Sequence, residues 1–170
     1  MTKLLTTLFA LATLGTAVAK EPTPALADSW QVTPQIVDTD NWHLWGASPV
    51  VDEAGTFHLY VARWPHNVNW EVGWRHRSEI AHYKATTPEG PFEYVSTVLK
   101  PEGGDRWDAS GYHNPSIKRI DGKYVLVHIA NDWKGGMAKH GPNQRIGMRV
   151  SDTPNGPFKK VTSDGLILGP

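Results

Sequence analysis

The sequence has no cysteine in its 170 residues and no charge excess of either sign, with 17 Lys and Arg against 17 Asp and Glu. Without cysteine there is no disulfide framework and no thiolate metal site. A formal charge of zero, with the eight histidines neutral, removes the cationic excess on which nucleic-acid binding rests. Long apolar runs are also lacking. The stretch over residues 4–14 is the nearest to one, and it falls well short of the ~20 residues of a membrane-spanning helix. Charged residues make up only 20% and hydrophobic residues 39%, a balance too apolar for a disordered chain. What is abundant is aromatic and turn-forming: eight Trp, five Tyr and four Phe, with 16 Gly and 13 Pro. That mix favours short strands and tight turns over helices, and an all-β class is expected.

Residues 1–19 read as an export signal. Lys3 gives a cationic start, residues 4–14 are apolar apart from three threonines, and Ala17-Val18-Ala19 offers a small-x-small cleavage pattern. The competing reading is a buried N-terminal helix. Cleavage before Lys20 would leave a secreted or periplasmic chain whose residues 20–41, with three prolines and no periodicity, form an arm.

From Trp45 onward the sequence repeats itself. Ser48-Pro49 answers to Asn114-Pro115, Ile80 to Ile146, and Thr87-Pro88-Glu89-Gly90-Pro91-Phe92 to Thr153-Pro154-Asn155-Gly156-Pro157-Phe158, each 66 residues apart. Gly55-Thr56-Phe57 matches Gly122-Lys123-Tyr124 at 67, a slip absorbed in the turn. Within each unit a short extended segment and a turn lead into a strand rich in β-branched and aromatic residues, over 56–62 and 123–130. Third strands are expected over 79–85 and 145–151, and fourth strands over 92–99 and 158–162, after the Thr-Pro-x-Gly-Pro-Phe turn. Four antiparallel strands repeated at this spacing make the blade of a β-propeller. The alternative is a set of unrelated hairpins in a sandwich. The expected blades cover 42–105 and 106–168. Rings close with about four to eight blades, so a partial propeller, part of a longer protein, is expected.

Several segments carry a family resemblance: Trp45-Gly46-Ala47-Ser48-Pro49, Arg63-Trp64-Pro65, Ser78-Glu79-Ile80-Ala81, Trp107-Asp108, His113-Asn114-Pro115 and Asn143-Gln144-Arg145-Ile146-Gly147. Over about residues 42–168 the chain resembles the secreted five-bladed β-propeller glycoside hydrolases, the relatives of family 43 and of the invertase-like enzymes. The resemblance implies a five-bladed ring and glycosidic hydrolysis. It also places an Asp-Pro at the first two inner strands and a general-acid Glu on a third blade. Here Ser48-Pro49 and Asn114-Pro115 stand at those two places without a carboxylate.

Glycosidic hydrolysis needs a proton donor and a second carboxyl that activates water or attacks. Asp108, in the loop before the second blade, is the first candidate, as an acid whose pKa burial would raise or a His113 imidazolium would lower. Its alternative is a turn-forming side chain. His113 is the second candidate. Glu79 is the third, either a funnel carboxylate or half of an ion pair between blades with Arg145. Trp45 and Trp64, which bracket the first hairpin, are expected nearest the sugar, with Ser48, Arg63, Asn114 and Arg145 as further binding residues. Trp70 and Trp74 are expected to pack the 65–77 connection. His76 and His82 have no third ligand in frame, so neither a metal nor a cofactor is expected. Three readings follow: a hydrolase of plant or algal poly- or oligosaccharides that on its own would be inactive, a non-catalytic carbohydrate-binding propeller, and a structural or protein-binding propeller. Neither nucleic acid nor membrane is expected as a partner.

Overall fold

The computed structural model describes residues 36–37, 40–133 and 144–169. The expected export signal and most of the expected arm lie outside the described residues. Two antiparallel sheets follow one another along the chain. The first has the order β1 (Trp42–Val51), β2 (Phe57–Pro65), β3 (Glu79–Ala85) and β4 (Glu93–Leu99). The second runs β5 (Gly111–Ile120), β6 (Lys123–Asn131), β7 (Gln144–Ser151) and β8 (Lys159–Lys160), with β9 (Leu166–Leu168) also on β7. Strand β8 pairs with Arg149 and Val150 and β9 with Ile146 and Gly147, so the two together form an interrupted fourth strand along one edge. The sequence suggested one strand over 158–162; the turn made by Thr162, Asp164 and Gly165 breaks it.

The turns explain the meander. In the first hairpin Asp52 Oδ1 accepts the backbone N–H groups of Ala54 and Thr56, at 3.0 and 2.8 Å. In the second, Asp121 and Gly122 both take positive φ, 48° and 76°, the backbone that a two-residue hairpin of matching twist requires. Both Thr-Pro-x-Gly-Pro-Phe turns share one geometry: Thr87 donates to Gly90 O at 3.0 Å and Thr153 to Gly156 O at 2.9 Å, and each Gly-Pro bond is cis.

The ladders correct the internal alignment. Ile80 pairs with Ala62 and Ile146 with Ile129, which sets β2 and β6 at the 67-residue offset. Ser48 lies opposite Tyr60, and the residue opposite the equivalent Val127 is Ser116. Ser48 therefore corresponds to Ser116 rather than to Asn114, and Trp45 corresponds to His113. The cause is in the hairpins, where five residues separate Val51 from Phe57 but four separate Arg119 from Tyr124. Gly46 (φ 52°) and Asn114 (φ 48°) then occupy matching bulges in the two inner strands.

The core lies between the sheets. Tyr60, Ile80 and Leu99 of the first pack against Tyr112, Ile117, Tyr124, Leu126 and Ala130 of the second. Burying each large side chain is worth roughly 1.5–3 kcal/mol. Tyr60 also donates its hydroxyl to Pro154 O across the seam. On the far face of the first sheet Leu59, Val61, Ala81 and Tyr83 pack with Phe92 and Val37, and Phe92 N donates to Ile36 O. Among the described residues no helix is long and apolar enough to cross a membrane.

Candidate functional site

The two inner strands meet along their middles. Trp45 Nε1 donates to Asn114 Oδ1 at 3.0 Å, and Ser48 Oγ accepts from Ile117 N at 3.0 Å. The bulges permit this approach, since a Cβ on Gly46 would lie 3.2 Å from Asn114 Oδ1. Above the seam sits the 66–78 connection, which forms a single α-turn, α1 (Trp70–Val72), and then a π-turn (Gly73–Arg77). Asn69 caps it by accepting Val72 N at 3.0 Å. Gly111 lets this segment lie on the start of β5, where a Cβ would stand 2.8 Å from Arg75 O.

The result is an aromatic pocket of about 250 Å³ lined by Trp45, Trp70, Trp74, His113, Asn114 and Gln144. Trp70 meets Trp45 edge-on at 4.7 Å, and Trp74 meets His113 edge-on at 5.6 Å. Trp45 is 46% exposed, so its indole is open to a ligand. His113 is 4% exposed, and neither ring nitrogen has a hydrogen-bond partner among the described residues. Burial holds its pKa down at about 4, so the ring is neutral and offers one donor and one acceptor. Flat indoles beside such a group suit the apolar face and hydroxyl rim of a sugar. Among the described residues no carboxylate lines the pocket.

Of the residues singled out by sequence, Trp45, His113 and Asn114 converge here. Trp70 and Trp74, expected only to pack the connection, line the pocket as well, and Gln144, not expected as a site residue, joins them. The four-residue spacing of Trp70 and Trp74, which puts them on one side of a helical turn, was the available signal. Ser48 is spent on the seam. Trp64 is 1% exposed and lies behind the pocket, edge-on to Trp70 at 5.2 Å. Arg63 and Glu79 pair with each other across β2 and β3, with Arg63 Nε donating to Oε1 at 2.8 Å. The Arg63 guanidinium also stacks 3.9 Å from the Trp42 ring centre and donates to Tyr83 OH. This pair closes within one blade on its far face, so the expected bridge from Glu79 to Arg145 is not made; Arg145 lies 3.4 Å from Asp132 instead.

Asp108 does not join the pocket either. It is 1% exposed, and Arg106 grips it in a fork, with Nε to Oδ1 at 2.8 Å and Nη2 to Oδ2 at 2.9 Å. Tyr112 OH donates to Oδ2 at 2.7 Å. Burial alone would raise the Asp108 pKa, but the Arg106 and Tyr112 hydrogen bonds outweigh it and hold the carboxyl below its usual value. A carboxylate kept ionised in this way is unsuited to donating a proton.

Two consecutive four-stranded blades sharing an inner seam define a partial β-propeller. No family model matches the sequence, and no curated protein matches it. Solved structures do. A family 43 glycoside hydrolase of Xanthomonas citri, complexed with xylose, is 19% identical with a TM-score of 0.53, over 78% of this chain and 34% of that one. A thermostable family 43 glycoside hydrolase is 23% identical with a TM-score of 0.53, over 74% and 39%. A family 117 glycoside hydrolase from the marine bacterium Zobellia galactanivorans is 20% identical with a TM-score of 0.53, over 72% and 33%. The chain thus has the propeller fold of these glycoside hydrolases, and it spans little more than a third of their length.

Proposed function

We propose that the chain is the sugar-holding part of a secreted or periplasmic glycoside hydrolase-like propeller acting on plant or algal poly- or oligosaccharides. The observation that carries this reading is the pocket of Trp45, Trp70 and Trp74 around the buried, unpartnered His113. The glycosidase fold of the matching structures supports the substrate class, and the export pattern over residues 1–19 supports the location. An N-terminus at Lys20 on exported material is the check on location. For the pocket, titrating the full chain with xylotriose and with arabino-oligosaccharides should quench tryptophan fluorescence. Trp45→Ala should weaken the binding about tenfold, the equivalent of ~1.4 kcal/mol. Binding that is absent, or unchanged in Trp45→Ala, would refute the assignment.

The absence of a carboxylate among the pocket-lining residues favours a second reading, a propeller that binds carbohydrate without cleaving it. Product analysis with the same oligosaccharides separates the two: cleavage supports a hydrolase, and saturable binding without any cleavage supports the binding module.

A further inference from the structure

The seam between the blades opens a second cavity, at the outer rim and away from the aromatic pocket. It holds about 410 Å³ between β4 of the first blade and the β7–β8 edge of the second, and shares no lining residue with the pocket. Among the described residues four cations face it, Lys100, Arg106, Arg149 and Lys160, and Glu102 is the one lining carboxylate. Such an excess stands out in a chain whose charges cancel overall.

The local carboxylates are already engaged. Glu102 takes Arg106 Nη1 at 2.6 Å, and Asp108, behind the wall, has both oxygens filled by Arg106 and Tyr112. Arg149 comes no nearer to Asp108 than 3.6 Å, and its Nε is buried with no partner. Among the described residues the ammonium groups of Lys100 and Lys160 make no hydrogen bond and no ion pair. Two unpaired ammoniums and an Arg149 guanidinium held only by a 3.6 Å ion pair therefore surround one space, where like charges repel and the Arg149 Nε is left unsatisfied. A compact anion with several acceptor oxygens offsets the repulsion, through charge-assisted hydrogen bonds to the Arg149 guanidinium and the two ammoniums.

We infer that this cleft binds an oxyanion, a carboxylate, sulfate or phosphate group, either free or carried on an acidic saccharide. The volume lies in the range of small-ligand sites and leaves room for a sugar ring behind the anionic group.

The test is calorimetric titration of the full chain with inorganic sulfate, inorganic phosphate, trigalacturonate and neutral xylotriose, at low and at high ionic strength. At least one anionic probe should bind, and more weakly as salt rises. In the double variant Lys100→Gln/Lys160→Gln its affinity should fall roughly tenfold. Removing two cations from a like-charged cluster should leave the urea midpoint at or above the parent value, so a lost affinity is not a lost fold. Arg149→Lys, which keeps the charge and removes Nε, should weaken binding as well. Trigalacturonate tighter than sulfate and phosphate identifies a saccharide-borne anion, and the reverse order a free one. If no anionic probe binds, or if the double variant binds like the parent, the inference is overturned. Xylotriose binding should be untouched in these variants, so failure of the rim site and failure of the aromatic pocket are told apart.

Discussion

At the scale of single residues, chemistry depends on what a side chain is given to bond. Asp108 receives three short hydrogen bonds, from Arg106 and Tyr112. Asp108→Asn keeps the volume but turns one acceptor into a donor facing donors. Arg106 is 40% exposed and can recruit water, so the expected cost is about 1–3 kcal/mol rather than that of a fully buried pair. Urea denaturation should show a lower midpoint at an unchanged slope, while xylotriose affinity stays at the parent value. Lost affinity with unchanged stability would return Asp108 to the ligand site. Which residues would meet was only partly legible in the sequence. Trp45, His113 and Asn114 lie close to the starts of the inner strands, so topology alone nearly brings them together. The partners of Asp108, Glu79 and Arg145 depend on side-chain reach and strand register. Arg63 stands directly opposite Glu79 in the ladder, yet the long 66–78 connection hides that register from a linear reading.

At the scale of elements, the strands were readable because runs rich in β-branched and aromatic residues lie between turn residues of known geometry, and β3 runs over the expected residues 79–85. The slip between the inner strands was not readable, because Asn114-Pro115 resembles Ser48-Pro49 by residue type while the bulges and the shorter hairpin shift the pairing. The helical segment over 70–77 was missed because Gly73 is a poor helix former in its middle. The fold requires that glycine: a Cβ there would lie 2.2 Å from Trp64 Cδ1 and Nε1. Gly73→Ala should therefore push the segment away from β2 and carry Trp70 and Trp74 with it. The expected result is a stability loss of about 1–3 kcal/mol from overpacking, with saccharide affinity falling in parallel. Full affinity in the Gly73→Ala variant would mean that the segment can shift without moving the pocket.

At the scale of the whole molecule, four histidines among the described residues are buried in and between the blades, and acid must act on the three whose pKa burial depresses, His82, His113 and His128. His82 is fully buried, with Nε2 2.8 Å from His58 Nδ1, and His58 in turn reaches Asp52. Asp52 Oδ2 can accept from His58 Nε2–H, and His58 Nδ1 and His82 Nε2 share one hydrogen bond. Burial first, then the charge of His58, holds the His82 pKa down at about 4. His113 is held at about 4 by burial, and His128 at about 3 by burial and then by Arg149. An unfolded chain takes up these protons near pH 6.5. Between that value and about pH 4 the unfolded state binds more protons than the folded one, so unfolding free energy must fall as pH falls. The combined loss is of the order of a few kcal/mol. Asp108 adds nothing to it. Its folded pKa is lowered, so its stabilisation is complete above the unfolded value of about 3.9 and is lost only below that. Urea denaturation at steps from pH 7.5 to 4.5 should show a continuous decline, made shallower in His82→Gln because one proton uptake is removed. A flat profile would mean that these rings are protonated in the folded state, and the neutral His113 on which the sugar pocket rests would have to be given up with them.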